Sequence, residues 1–362
     1  MTELSIHELS LGFSHDRQML VEFLAKHHLN YEDDIEAAFG VFDSDDNLTG
    51  CGCCAGNLLK CFAVDESLRG QNALGSLVSR LVENRFEAGH YDLFVITRPK
   101  NKVLFTSCGF YPLAETEAVL MLENKKSGLD NYYKKFLAGT DTDENVGCIV
   151  MNCNPFTLGH RSLVEYAVNN CDEVIIFAVQ EDRSIFPFSD RFSLIKQGVK
   201  DMKGVSVISG GNYIISNATF PTYFIKGTDE LAAQTKLDAT VFATRIAPAL
   251  NITVRFVGEE PTDKTTLAYN RAMREVFANN GIELKVIPRE QKGHQVVSAS
   301  TVRKALSEDD WETVYRMVPK STLVYLKSPE GQAVIRKIKM TEAFKQMEAE
   351  EKAKAAEAKT EK

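Results

Sequence analysis

Apolar residues recur at two different periods along this chain, and the change between them divides it. Residues 14–28, SHDRQMLVEFLAKHH, place Met19, Leu20, Phe23 and Leu24 at helical spacing behind Ser14, a residue able to cap the start. AAFGVFDS, GCGCCAG and LLKCFAVD follow with turn residues between them, and predict three strands in an antiparallel meander. RGQNALGSLVSRLVENRFEAG then predicts an amphipathic helix closed by Gly89, DLFVIT a strand, NKVLFTSCG a short helix, and FYPLA and AVLMLE two further strands. This first unit is expected over residues 1–124. Residues 125–145 are polar and charged apart from one helical turn at NYYKKFL, and predict a linker.

From Val146 the pattern alternates strand and helix: VGCIVM, HRSLVEYAVNN, EVIIFAV, SDRFSLIKQGVKDM, VSVIS, a helix near VFATRIAPAL, ITVRFVG, TTLAYNRAMREVFANN, IELKVIP and STVRKAL. Such alternation predicts βαβ units and a parallel sheet covered on both faces, here over residues 146–332. The fold class is therefore α/β in two domains. From about Ala333 the chain is rich in Ala, Glu and Lys while its apolar stripe fades, which predicts a charged solvated helix or a disordered tail over 333–362.

Composition narrows the partners. The 362 residues are 44% apolar, enough for two full cores. A net charge of −8, from 42 Lys and Arg against 50 Asp and Glu, argues against a nucleic-acid footprint. No stretch approaches the roughly 20 apolar residues that span a bilayer, and MTELSIHELS has neither a basic start nor an apolar run. No membrane partner is expected, and a cytoplasmic location is. Eight cysteines, at 51, 53, 54, 61, 108, 148, 153 and 171, sit mostly in strand-like segments, which suits a reducing compartment. CGCC, Cys51 to Cys54, lacks the second ligand pair that zinc requires and reads as a strand; no protein-held metal site is expected.

The candidate chemistry lies at a break. NCNPFTLGH, Asn152 to His160, follows the strand VGCIVM and runs straight into a helical pattern. In a parallel sheet this delivers Asn152, Cys153 and Asn154 to the ligand edge, with free N–H groups at the helix start that attract anions. Asn154 offers an amide, Thr157 a hydroxyl and His160 an imidazole N–H, and Gly159 lets a phosphate approach the backbone. From spacing alone a tight turn remains the alternative.

NPFTLGH resembles the T/H-x-G-H signature of the nucleotidyltransferase superfamily, whose members bind ATP or CTP and release pyrophosphate when a substrate oxygen attacks the α-phosphorus. Thr157 stands where many members carry a first His. SASTVRKAL, Ser298 to Leu306, resembles the superfamily's second element, ISSTxxR. The resemblance implies that His160 and Thr157 stabilise the reacting phosphorus, and that Ser300, Thr301 and Arg303 hold the β- and γ-phosphates, with Mg²⁺ carried mostly by the nucleotide.

EDRSIFPFSDRFSLIKQGVKD, YIISNATFPTYFIK and RFVGEEP, together with the domain order, resemble the citrate (pro-3S)-lyase ligase family, also called acetate:citrate-lyase ligase, over roughly residues 1–330. The resemblance implies an enzyme that uses ATP and acetate to acetylate the thiol of the phosphoribosyl-dephospho-coenzyme A group on the acyl carrier subunit of citrate lyase. It would work through acetyl adenylate and release AMP and pyrophosphate. Arg183, Arg191, Lys226 and Arg255 are the candidate cations for acetate or arm phosphate. Phe186, Phe188, Phe220, Tyr223 and Phe224 either wall the pocket against water or are ordinary core aromatics.

The first unit's helix, meander, helix and strand, with RGQ at Arg69 to Gln71, resemble the GNAT acetyltransferase fold, whose R/Q-x-x-G-x-G/A loop cradles coenzyme A pyrophosphate. Here Asn72 replaces the middle Gly, Leu74 the final Gly or Ala, and Gly75 arrives one residue late. A Cβ at either point crowds a phosphate, so the unit is expected to dock or sense the prosthetic group rather than transfer acetyl itself. Glu66 and Tyr111 are open candidates should it catalyse. An adenylyltransferase acting on a phosphorylated coenzyme precursor, and a non-catalytic carrier-binding regulatory module, are the competing functions.

Overall fold

The computed structural model describes residues 4–341 apart from 69, 137–144, 181–183, 215–219, 226–228, 260–263, 289–290 and 293–294. Two compact units emerge, each assembled from three stretches of chain. The first takes Met1–Ala138, Ile215–Leu250 and Thr265–Asn280; the second takes Gly139–Ile214, Asn251–Lys264 and Gly281–Lys362.

The first stretch carries β1 (Ser5–Leu9), α1 (Ser14–Lys26), β2 (Ala37–Phe42), β3 (Leu48–Ala55), β4 (Leu58–Val64), α2 (Ala73–Glu87), β5 (Phe94–Thr97), α3 (Lys102–Ser107), β6 (Tyr111–Glu115), β7 (Leu120–Glu123) and α4 (Gly128–Lys134). Its seven strands form one sheet in the order β1-β2-β3-β4-β5-β7-β6. The meander β2 to β4 is antiparallel, as its turn residues require, and α2 carries the chain over to β5, which pairs parallel with β4. This is the GNAT-like order that the sequence resembles. Phe39, Leu59, Leu77, Leu81, Val95, Phe105 and Leu122 form the core beneath α2 and α3. Cys51, Cys53 and Cys54 are buried strand residues. Pro112 lies in β6, at the sheet's edge, where a missing N–H breaks no ladder. The capping role expected of Ser14 is not observed: it is the first helical residue, and Phe13 holds the cap position.

The second stretch runs β8 (Val146–Met151), α5 (Leu158–Val168), β9 (Glu173–Ala178), α6 (Phe188–Gly198) and β10 (Val205–Ser209). The chain then supplies the first unit with α7 (Asp229–Val241), continued by a π-helical stretch Phe242–Ile246, and returns to the second for β11 (Ile252–Gly258). It gives almost all of α8 (Lys264–Ala278) to the first unit and closes in the second with β12 (Glu283–Ile287), the short pair β13 (Gln291–Lys292) and β14 (Gln295–Val296), and α9 (Ala299–Ser307), α10 (Trp311–Met317) and α11 (Lys320–Leu326). Alternation along the sequence therefore does not report which sheet a helix covers. α7 and α8 pack with the first unit: Lys236 of α7 reaches Glu117, Arg245 reaches Asp130, and Phe242 packs on Phe277.

The main sheet of the second unit has five strands, all parallel, in the order β10-β9-β8-β11-β12, while β13 and β14 pair antiparallel in a small sheet of their own. From β8 the chain builds outward through β9 and β10 on one side and later through β11 and β12 on the other. The topological switch point thus falls between β8 and β11, and open parallel sheets take ligands outside the carboxyl ends of such strands. The loop after β8 is Asn152 to Thr157.

A helical run over residues 329–341 follows α11. Val334, Ile335 and Ile338 enter the second unit's core with Met151, Val302, Leu306 and Leu326. Up to Thr341 this segment is a docked helix rather than the solvated tail expected from Ala333 onward. Three apolar residues on one face suffice for docking, whatever the charge on the opposite face. The remainder of that expected tail lies outside the described residues. No helix among the described residues is long and apolar enough to cross a membrane.

Docking of this helix is testable. Ile338 is 1% exposed and Met340 61%. Ile338→Ala is expected to lower unfolding free energy in urea by about 2–5 kcal/mol, and Met340→Ala to change it by less than about 0.5 kcal/mol. Equal, negligible effects would show the helix to be undocked.

Candidate active site

The loop at the carboxyl end of β8 is held by several segments at once. Thr157, in extended conformation, is the N-cap of α5, and its side-chain oxygen accepts from the His160 backbone N–H. The Thr157 N–H in turn donates to His160 Nδ1 at 3.0 Å. This is a capping box with histidine in the place usually held by Glu or Gln. Because Nδ1 accepts a backbone N–H, it carries a lone pair, and the neutral ring bears its proton on Nε2. His160 is thereby fixed as an Nε2–H donor. Its ring also lies nearly parallel to Phe156, with centroids 5.8 Å apart.

Thr157 is buried, and its hydroxyl stands 2.9 Å from His160 Nδ1. Expected beside His160 at the phosphorus, it is instead a cap that orients the imidazole. Short β-hydroxyl side chains at an N-cap serve the helix's own N–H groups first.

The second motif meets the first. Arg303 Nη1 of α9 donates to the Asn154 carbonyl at 2.6 Å. A Cβ on Gly159 would stand 2.9 Å from the carbonyl oxygen of Val297, the residue just before the α9 cap. Gly159 is therefore required by this approach of backbone to backbone. Ser298 is the N-cap of α9: its Oγ accepts the Thr301 N–H at 3.1 Å and lies 2.9 Å from Ser300 Oγ and 2.7 Å from Thr301 Oγ1. Three hydroxyls and the free N–H groups of a helix start thus gather beside the Asn152 to His160 loop, an arrangement suited to phosphate.

The other loop contacts come largely from residues outside the two motifs. Arg191 of α6 is fully buried, and its guanidinium donates to the carbonyls of Asn152 at 3.0 Å, Val179 at 2.8 Å and Phe186 at 3.0 Å, and to Asn152 Oδ1. Asn152 Nδ2 then donates to Ser184 Oγ at 3.0 Å. Asn154 Oδ1 accepts the Phe186 N–H at 3.1 Å, which identifies the other end of that amide as its N–H donor. Thr322 of α11, also buried, donates to the Phe156 carbonyl at 3.0 Å. Ser184 and Thr322 carried no functional signal of their own in the sequence, and Ser298, which opens SASTVRKAL, was not assigned a role, although the spacing of Ser298 to Thr301 is that of a helix cap. Cys153 has a left-handed backbone, φ 53°, and burial pushes its thiol pKa well above the usual value, so it serves the loop through its main chain.

Of the four candidate cations, Arg183 and Lys226 lie outside the described residues. Arg191 is taken up by protein carbonyls, which corrects its assignment to acetate or arm phosphate: a guanidinium enclosed by oxygen acceptors is a brace. Arg255 is likewise buried, in β11 beside Cys148 of β8. The aromatics expected along one pocket wall divide between the units, Phe186 and Phe188 in the second and Phe220, Tyr223 and Phe224 in the first.

Comparison with known proteins bears on this site directly. Residues 146–326 match the family described as the citrate lyase ligase C-terminal domain, a span that contains both motifs. The chain is 40% identical over 318 residues to a citrate (pro-3S)-lyase ligase of Klebsiella pneumoniae, covering 86% of this chain and 92% of that protein. It is 39% identical over 317 residues to one from Haemophilus influenzae, with 85% and 94% covered. Among solved structures, a GNAT-family acetyltransferase from Staphylococcus aureus is similar at 12% identity and a TM-score of 0.29, covering 34% of this chain and 100% of that one. Identity of this level across both units, with the paired phosphate-type motifs in contact, means that the chain belongs to the citrate (pro-3S)-lyase ligase family.

Proposed function

We propose that this protein is an ATP-dependent ligase that acetylates the prosthetic-group thiol of the citrate lyase acyl carrier subunit through acetyl adenylate, releasing AMP and pyrophosphate. The observation that carries the reading is the contact between the two motifs, Arg303 on the Asn154 carbonyl and Gly159 against Val297. Triphosphate binding needs donors from both at one place.

In this reading the α9 start, with Ser300 and Thr301, takes the β- and γ-phosphates, while the amide N–H of Asn154 and Nε2–H of His160 face the α-phosphate. Acetate is already ionised near neutral pH, so no protein base is needed for its oxygen to attack phosphorus. Charge builds on the α-phosphate oxygens as the bond to pyrophosphate breaks, and a donor held in place beforehand stabilises that charge without reorganising. The capping box supplies this preorganisation for His160. In the second half-reaction the carrier thiol loses its proton, its sulfur attacks the acetyl carbonyl, and AMP departs with the electrons of the anhydride bond. Mg²⁺ would be held chiefly by the nucleotide's phosphates.

ATP–pyrophosphate exchange tests the first half-reaction without the carrier. Exchange that requires acetate is expected. AMP retained in a dinucleotide-like product with a phosphorylated acceptor would replace the ligase by an adenylyltransferase, and ATP binding without turnover would leave only a regulatory module.

His160→Ala is expected to lower the exchange kcat about a hundredfold or more while the KM for ATP changes much less, since its donor acts on charge that exists only at the transition state. Near-normal turnover would remove His160 from the reaction. Gly159→Ala should force the loop away from Val297 and raise the KM for ATP about tenfold or more; an unchanged KM would separate the two motifs functionally.

A further inference from the structure

In the first unit's sheet, β4 and β5 are the one parallel pair, and they stay together for only two rungs, Leu58 with Phe94 and Leu59 with Val95. Beyond these, Lys60–Val64 of β4 and Ile96–Thr97 of β5 part company. Parallel strands that diverge toward their carboxyl ends leave backbone donors and acceptors facing a wedge-shaped gap. Such a gap suits an extended, amide-bearing ligand, which can add alongside a strand edge.

Here the chain itself fills it. Tyr223, 4% exposed, places its hydroxyl in the gap, donating to the Ile96 carbonyl at 3.1 Å and interacting with Thr97 of β5 and the backbone of Cys61 in β4. The main chain on both sides of Tyr223 is pinned within the same unit. Asn30 N–H donates to the Tyr223 carbonyl at 2.9 Å, and Arg98 Nη2 to the Phe224 carbonyl at 2.8 Å. Glu32 Oε1 accepts the Thr222 N–H at 2.6 Å and its hydroxyl at 2.9 Å. Glu32 is itself held through Oε2 by Lys60 Nζ at 2.9 Å, a lysine only 1% exposed that also binds Asp34. A turn from Thr222 to Ile225 closes the segment, and Phe220 and Phe224 are buried.

The other end of such a ligand site is obstructed independently. At the start of α2, Asn72 adopts φ 55° and its side chain lies over the first turn, so that a Cβ on Gly75 would meet Asn72 Oδ1 at 2.5 Å. An anion approaching that backbone meets the amide of Asn72 first.

We propose that Phe220–Ile225 is a built-in occupant of the β4/β5 gap, so that the first unit binds no acyl-coenzyme A and acts as a body that anchors the Ile215–Leu250 segment. The Tyr223 hydroxyl takes up the Ile96 carbonyl of β5 and reaches Thr97 and Cys61, groups on the two strands that such a ligand would use, while Asn30, Glu32 and Arg98 hold the turn around it in place. This inference stands apart from the nucleotide site and survives if that site is assigned wrongly.

Two measurements on the full-length protein test it. Titration calorimetry with acetyl-coenzyme A is expected to show no saturable binding at millimolar ligand; a micromolar Kd would overturn the proposal. Hydrogen exchange read by mass spectrometry should show the peptide spanning Phe220–Ile225 protected like β4 and β5, with or without acetyl-coenzyme A. Exchange of that peptide within seconds, or its deprotection on adding ligand, would show a strap that opens. Tyr223→Phe, which keeps the ring and loses one hydrogen bond, should speed exchange in that peptide about threefold to tenfold. No change there would show that the hydroxyl does not hold the strap.

Discussion

The guanidinium of Arg191 is the interaction on which the rest of the site rests. It ties the carbonyl of Asn152, at the end of β8, to that of Val179, at the end of β9, and to Phe186 just before its own helix. The carboxyl ends of parallel strands otherwise diverge into loops, and their carbonyls need partners once buried. A charged, planar fork satisfies several of them from one side chain and sets their spacing. Without it each buried acceptor left unpaired costs on the order of 1–3 kcal/mol. The loop bearing Asn154, Thr157 and His160 starts from this brace, so its geometry inherits the rigidity of the sheet.

His160 shows how that rigidity becomes chemistry. A histidine at the third position of α5 takes the capping-box hydrogen bond from the Thr157 N–H, and the same bond decides which ring nitrogen keeps the proton. Helix capping and donor preparation are thus one interaction. On the opposite side, Ser298 caps α9 while drawing Ser300 and Thr301 together, so two helix starts, each with its hydroxyls ordered by its own cap, come together through Arg303 and Asn154. Their aligned peptide dipoles favour negative charge at both starts.

The two compact units are interleaved in sequence. Segments on either side of β11 belong to the first unit, although each is flanked by chain of the second. Tyr223 and its neighbours complete the interior of the first unit, a role that a short domain built only from residues 1–124 would leave unfilled. Such interleaving makes the contacts of the first unit non-local, and closing non-local contacts is the slow, entropically costly part of folding.

Periodicity was enough to read the meander, the helix before Gly89 and the five parallel strands, because each depends only on which residues one face can bury; the two phosphate-type motifs were read by resemblance. Resemblance supplied the family, which the comparisons bear out. What only the tertiary structure decided concerns destinations. An arginine reads the same in sequence whether it meets a phosphate or three carbonyls, and Arg191 met carbonyls because β8, β9 and α6 converge on it. Thr157 became a cap, Val334, Ile335 and Ile338 became core, and Tyr223 went to the first sheet rather than the second, for the same reason. Partners brought from distant segments set the local dielectric and the acceptors available, and no local pattern along the chain contains them.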